Sequence, residues 1–242
     1  MQSATLETRV FHHKGQAIPY CLRRSRRATR VRLEVKPDEG VVLTVPSRTH
    51  PDDGQLFLQR HAAWLNGQLK RQAAIAAQWP RRWPYGTTLP YRGAHLPVEV
   101  RGGHPASVHM QSGALTVHVK TVEAAVDAAR RALRAWYMAE ADRFCLESVR
   151  QWADAMKVEW KGFSIGRGLT RWGSCSPAGS LRFNYRLIMA PQTVLDYVVV
   201  HELAHRRQMN HSPAFWNEVS RHFPEFRQAR RWLSTFGPYL NV

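Results

Sequence analysis

Cysteine is scarce: three residues in 242, at positions 21, 145 and 175, odd in number and widely separated. No disulfide framework is implied. Long apolar runs are missing too. No segment reaches the roughly 18 apolar residues of a membrane span, and Met1 to Gln16 holds no continuous apolar region of the kind a secretory leader needs. Neither an internal repeat nor a low-complexity stretch is evident. These absences predict a soluble, cytoplasmic protein with no membrane partner. Acidic residues are also few, 18 against 35 Lys+Arg, for a net charge of +17.

The charge is uneven. Residues 1–121 carry 18 Lys+Arg against 7 Asp+Glu, net +11, and residues 122–242 carry 17 against 11, net +6. Arg23, Arg24, Arg26, Arg27, Arg30 and Arg32 concentrate it. Such density suits a polyanionic partner, DNA or a phosphate-rich substrate, although an arginine-rich solvated face gives the same count. Hydrophobic content of 44% and 10% aromatics place the chain among globular proteins.

Periodicity divides the chain in two. Val31, Leu33 and Val35 alternate, Pro37 to Gly40 forms a turn, and Val41, Leu43 and Val45 return, which predicts a β-hairpin. Asp52 or Asp53 can cap one helix reaching about Trp79, with Leu56, Trp64, Leu65, Leu69 and Ala73 buried, before Trp79 to Pro84 breaks it. Short strands, including Leu96 to Val100 and Leu115 to Val119, fill residues 85–120. Residues 1–121 are thus predicted as a β-rich α+β subdomain. A long helix over 122–156 opens the second domain, 122–242, with Val126, Leu133, Tyr137, Phe144, Val149, Trp152 and Met156 as its apolar stripe. Arg171 to Cys175 and Leu181 to Leu187 read as strands joined by a turn, the second with Leu181, Phe183, Tyr185 and Leu187 on one face.

Chemistry concentrates in Val198 to His211. His201, Glu202 and His205 form H-E-x-x-H. Four residues advance a helix by about 400°, so the two imidazoles lie within about 40° of each other. They can chelate one ion, with Glu202 placed to deprotonate a metal-bound water. The segment around them, Val194 to Leu203, is apolar nearly all round, so the polar pair needs a compensating partner, which a divalent cation supplies. His211 is the natural third ligand, but a continuous helix would carry it about 240° round from His205. The helix must therefore end between them. Asn210 is the expected turning point through a left-handed conformation, and Ser212-Pro213 the next N-cap and first helical position. Three neutral nitrogens and an open fourth position match a catalytic zinc site. A third ligand from Glu218 or Glu225 is the alternative.

Arg171, Asn184 and Arg186 are candidates for substrate or oxyanion contacts, with structural hydrogen bonds in strands as the competing reading. Cys175 reads as a small buried thiol rather than a ligand. His12, His13 and His222 read as surface residues. Gln208 stands where metzincins carry glycine, and no methionine follows Met209, so neither that pattern nor its Met-turn is present.

Taken together, Arg171-Trp172-Gly173-Ser174-Cys175, Asn184-Tyr185-Arg186, Asp196 to His205 and Asn210 to Trp216 resemble the YgjP-like metallopeptidase family in order and spacing. Ser25-Arg26-Arg27, Val45-Pro46 and Trp64 resemble its N-terminal part, and the likeness covers roughly residues 15–235. The resemblance implies a zincin-like α+β catalytic domain behind a β-rich N-terminal subdomain, and a relation to SprT and Spartan proteases, which cleave proteins crosslinked to DNA. By position it implies His201, His205 and His211 as ligands of one Zn2+ and Glu202 as general base, acting on a protein or peptide substrate. Two other functions fit the same residues: a metal-dependent phosphohydrolase of nucleoside triphosphates, and a nucleic-acid-binding module with a structural metal.

Overall fold

The computed structural model describes residues 6–37, 39–78, 87–103, 105–120, 125–168 and 170–240. The break expected over Trp79 to Pro84 and the start of the long helix at 122–124 lie outside them. The fold is α+β, and the chain divides into two compact units, Met1–Trp79 and Pro80–Val242.

In the first unit, β1 (Leu6–His13), β2 (Gln16–Ser25), β3 (Arg32–Lys36) and β4 (Gly40–Pro46) form one sheet in the order β1-β2-β4-β3. The hairpin read from alternation is β3–β4, with Leu33 opposite Leu43 and Val35 opposite Val41. The expected single helix is two, α1 (Pro51–Arg60) and α2 (Ala62–Gln78). Of the expected buried row, Leu65 and Leu69 do face the core and the rest do not. Leu58, Ala62 and Leu65 pack on Val41, Leu43 and Val45, whereas Leu56 and Trp64 are 44% exposed and Ala73 is exposed. Leu58, Ala62, Leu65 and Leu69 recur at steps of four, three and four residues, whereas Leu56 lies about 160° round α1 from Leu58 and Trp64 about 100° round α2 from Leu65.

The second unit begins with β5 (Thr88–Tyr91), β6 (Ala94–Arg101), β7 (Ser107–Gln111) and β8 (Ala114–His118), ordered β5-β6-β8-β7. Strand order and direction repeat those of the first sheet. Each has an antiparallel opening hairpin, a parallel central pair (β2 with β4, β6 with β8) and an antiparallel closing hairpin. Lys14-Gly15 and Arg92-Gly93 make the two opening turns, all four residues at positive φ. Pro19 and Pro97, lacking a backbone donor, each stand one residue before the parallel ladder begins at Tyr20 and Val98. A four-strand unit therefore occurs twice, although the sequence shows no repeat.

The long helix α3 (Ala125–Met156) explains why residues 88–118 belong with the second unit rather than with an N-terminal domain ending at 121. Its buried row runs at four-residue steps: Ala129, Leu133, Tyr137, Ala141, Cys145 and Val149. Each step drifts by about 40°, so the row winds round the helix axis. Ala129 and Leu133 cover Leu89, Leu115 and Val117 of the β5–β8 sheet, and the later turns pack on the helix that carries the histidines. Of the expected stripe, Val126 is 42% exposed, while Phe144 and Trp152 are half-buried.

A third sheet, β10 (Gly173–Cys175), β11 (Ser180–Asn184) and β9 (Gly162–Gly166), has β11 at its centre. The strand expected to run to Leu187 stops at Asn184, whose Oδ1 accepts from Arg186 N and caps a 3-10 turn over Tyr185–Met189. Alternation ends there, and Arg186 is buried with its neighbours. Then come α4 (Gln192–Ala204), α5 (Pro213–His222) and α6 (Phe226–Phe236). No helix among the described residues is long and apolar enough to cross a membrane.

Candidate metal centre

Helix α4 buries Val194, Leu195, Tyr197 to Val200, Leu203 and Ala204, and its last turn presents His201 and Glu202. It ends at Ala204, with His205 as C-cap. Arg206 N donates to Leu203 O at 2.9 Å, and Arg207 N and Gln208 N share Ala204 O at 3.0 Å each. Two side chains fix this turn. Arg206 donates through Nε to Glu159 O and through Nη1 to Pro177 O, both at 2.9 Å, while Arg207 donates to Met156 O at 2.6 Å and pairs with Glu218 at 2.9 Å. Asn210 does not turn left-handed as expected. Its φ is not positive, and its side chain accepts from Ser212 N instead. Ser212 and Pro213 start α5 as predicted, with Ser212 Oγ accepting from Phe215 N.

The fully buried Phe215 then forms a floor. Its ring centroid lies 4.9 Å from His201, 4.6 Å from His205 and 4.7 Å from His211. Above it the three imidazoles converge, with one ring nitrogen of each within 4.8 Å of the others. His201 Nε2 and His211 Nε2 are 3.0 Å apart. Bonds of about 2.0–2.1 Å in a tetrahedral zinc site put two nitrogens about 3.3 Å apart, close to that spacing. His205 Nδ1 sits 3.0 Å from Gln208 O, which makes it the donor and leaves the Nε2 lone pair for a ligand role. Burial, reinforced by the two neighbouring histidines, lowers the His201 pKa to about 3, and burial lowers that of His205. Both rings are therefore neutral, the form a metal requires. The donor set fits a divalent ion of borderline softness, zinc foremost.

Neither Glu218 nor Glu225 joins this cluster. Glu218 Oε1 lies 2.9 Å from Arg207 and 3.3 Å from His222, and Glu225 is exposed just before α6. His222, read from sequence as an unpartnered surface residue, is half-buried in that contact.

Glu202 is 5% exposed and packed against β10. A Cβ on Gly173 would lie 2.6 Å from its Cγ and Oε1, so only glycine admits the carboxylate here. The backbone N–H of Cys175 hydrogen-bonds it. Burial pushes the Glu202 pKa up to about 7, against the opposing pull of Arg171 and that N–H. The carboxylate opens on a cavity of about 350 Å³ lined by Arg171, Trp172, Tyr197, His201 and Arg230 among others.

Of the candidate substrate residues, Arg171 is exposed in this cavity. Asn184 and Arg186 serve the loop that carries it. Asn184 Nδ2 donates to the carbonyls of Gly168 and Arg171, and Arg186 donates to Asn184 Oδ1 and Gly168 O while lying 4.7 Å over the Trp172 ring. Cys175 is half-buried and outside the histidine cluster. Tyr197 and Arg230 are cavity residues that sequence reading missed. Tyr197 was within reach, because it stands four residues before His201 on the same helix face. Arg230 lies on α6, and no local spacing connects it to the motif.

No curated protein and no solved structure matches the chain. Residues 29–236, however, match the family model described as YgjP-like, metallopeptidase domain. A match over most of the length, containing the H-E-x-x-H helix, the third histidine and the glycine strand against Glu202, places this chain in the YgjP-like metallopeptidase family.

Proposed function

We propose that the chain hydrolyses peptide bonds with Glu202 as general base, beside a zinc ion held by His201, His205 and His211. The observation that carries this is a buried carboxylate, adjacent to three converging imidazoles, at the wall of an open cavity. When bound, such an ion supplies Lewis acidity toward a carbonyl oxygen and makes a water more acidic. Glu202, with a pKa near neutrality, accepts that water's proton during attack and delivers it to the leaving amine. Tyr197, kept protonated by burial, donates to the developing oxyanion, and Arg171 orients the substrate. Asn184 and Arg186 act as positioning residues that hold the carbonyls of Gly168 and Arg171.

The test is cleavage of a denatured protein by the zinc-loaded chain, read by mass spectrometry of new termini. A chelator is expected to abolish cleavage, zinc to restore it, and His205→Ala to lose stoichiometric zinc. Phosphate release from a nucleotide panel without any peptide cleavage would replace this reading with a phosphohydrolase. Intact function in Glu202→Gln alongside lost function in His205→Ala would replace it with a structural metal.

We also propose a polyanion-binding surface, single-stranded DNA being the probe, on the first unit. Arg23 pairs with Glu39 and Arg24 donates to the Thr49 carbonyl, so these two belong to the fold. Arg26, Arg27, Arg30 and Arg32 are exposed, and Arg26 and Arg48 line a cavity of about 620 Å³. Binding should weaken with salt by a log–log slope of about −0.7 per phosphate contacted. Joint Arg26→Glu and Arg48→Glu should weaken it about tenfold or more at low salt, by removing and reversing two cationic contacts. Salt-independent binding, or affinity unchanged by the double substitution, would remove this surface.

A further inference from the structure

A second cavity, of about 310 Å³, adjoins the one at Glu202, and Arg171, Trp172 and Gly173 line both. Its other walls include Thr170, Ser174 and Arg182. On β11 the side chains of Leu181 and Phe183 are buried and that of Arg182 is exposed, so Arg182 stands on the sheet face away from the core. Its register partners are Ser174 on β10 and Ser164 on β9, which place hydroxyls beside it on that face. The guanidinium lies across Gly166, where a Cβ would fall 2.5 Å from Arg182 Nε. Among the described residues Arg171 and Arg182 form no salt bridge, and no Asp or Glu lines this cavity. Two guanidinium groups, hydroxyls and a glycine-shaped floor form a receptor for a carboxylate.

We propose that this cavity is a specificity subsite for an acidic side chain, Asp or Glu, close to the scissile bond of the peptide substrate. The ligand's identity as a peptide rests on the peptidase reading; the anion site does not. Arg171, common to both cavities, ties recognition to the Glu202 cavity, and Arg182 sets the preference for negative charge.

The test uses paired peptides that differ only by Glu against Gln at successive positions. Their binding to the metal-free full chain is read by calorimetry and their cleavage by the zinc-loaded chain. At one position the Glu peptide is expected to bind about tenfold more tightly, the scale of a charge-assisted contact. That preference should fall towards one in Arg182→Gln, invert in Arg182→Glu and partly return in Arg182→Lys, with thermal melts confirming that each variant folds. Equal binding of Glu and Gln peptides at every position would overturn the proposal, as would a preference indifferent to Arg182. Inorganic phosphate or ATP binding at this site while acidic peptides fail to bind would overturn it in favour of a phosphate ligand. Cleavage without acidic preference would sink the subsite and leave the peptidase standing. Arg182-dependent binding of acidic peptides without any cleavage would do the reverse.

Discussion

Glu202→Gln is expected to lower kcat on a cleaved protein by about 10²- to 10⁴-fold, the range of general acid–base catalysis, with zinc stoichiometry unchanged. The side chains are near-isosteric. The substituted amide keeps an oxygen for the Cys175 N–H and fills the space against Gly173, so packing in the last turn of α4 is retained. The three imidazoles, resting on Phe215, are untouched. What disappears is the ability to accept a proton, because an amide is not a base near neutral pH. Initial rates and bound zinc, measured on the same preparation, separate this from loss of the metal. A variant that keeps most of its activity would show that Glu202 is not the base.

Gly173→Ala is expected to produce the next largest loss, about 10²-fold in kcat, the cost of misplacing a reacting group by roughly 1 Å. The added Cβ would sit 2.6 Å from Glu202 Cγ and Oε1 and 2.9 Å from Cδ, closer than real Cβ atoms approach anything. Something must move. Glu202 is 5% exposed, so either its carboxylate rotates away from the cavity or β10 is pushed off α4. Both displace the base relative to the histidines. If the methyl acts through Glu202, it should cost little more in a Glu202→Gln background, and the double variant discriminates positioning from general destabilisation. Additive losses would mean that Gly173 matters for another reason.

The parts legible in sequence are those set by neighbours along the chain. The four-residue spacing of His201 and His205 fixes their common face on any helix. Ser212-Pro213 starts α5 because a hydroxyl cap and a preset φ act within one turn. The alternation of Leu33, Val35, Val41 and Leu43 gives a hairpin with its register. The misplaced residues are Leu56 and Trp64, apolar side chains off the row of Leu58, Ala62, Leu65 and Leu69 that recurs at steps of four, three and four residues and packs on the sheet. The turn after His205 was expected at Asn210 on local preference, but Arg206 and Arg207, reaching the distant carbonyls of Glu159, Pro177 and Met156, fix it earlier.

By itself, then, the sequence determined that His201, Glu202 and His205 share one helix turn with His211 close behind, because that spacing is short-range geometry. The turn that brings His211 onto the pair is held by distant carbonyls. Tertiary structure alone decided that β5–β8 joins α3 and that one four-strand topology occurs twice. It alone decided that Gly173 lets Glu202 into a buried slot, and that Tyr197, Arg230, Arg171 and Arg182 meet around two adjoining cavities. Those outcomes depend on which distant surfaces bury one another. That is a competition among packings of segments far apart in the chain, and only the assembled core resolves it.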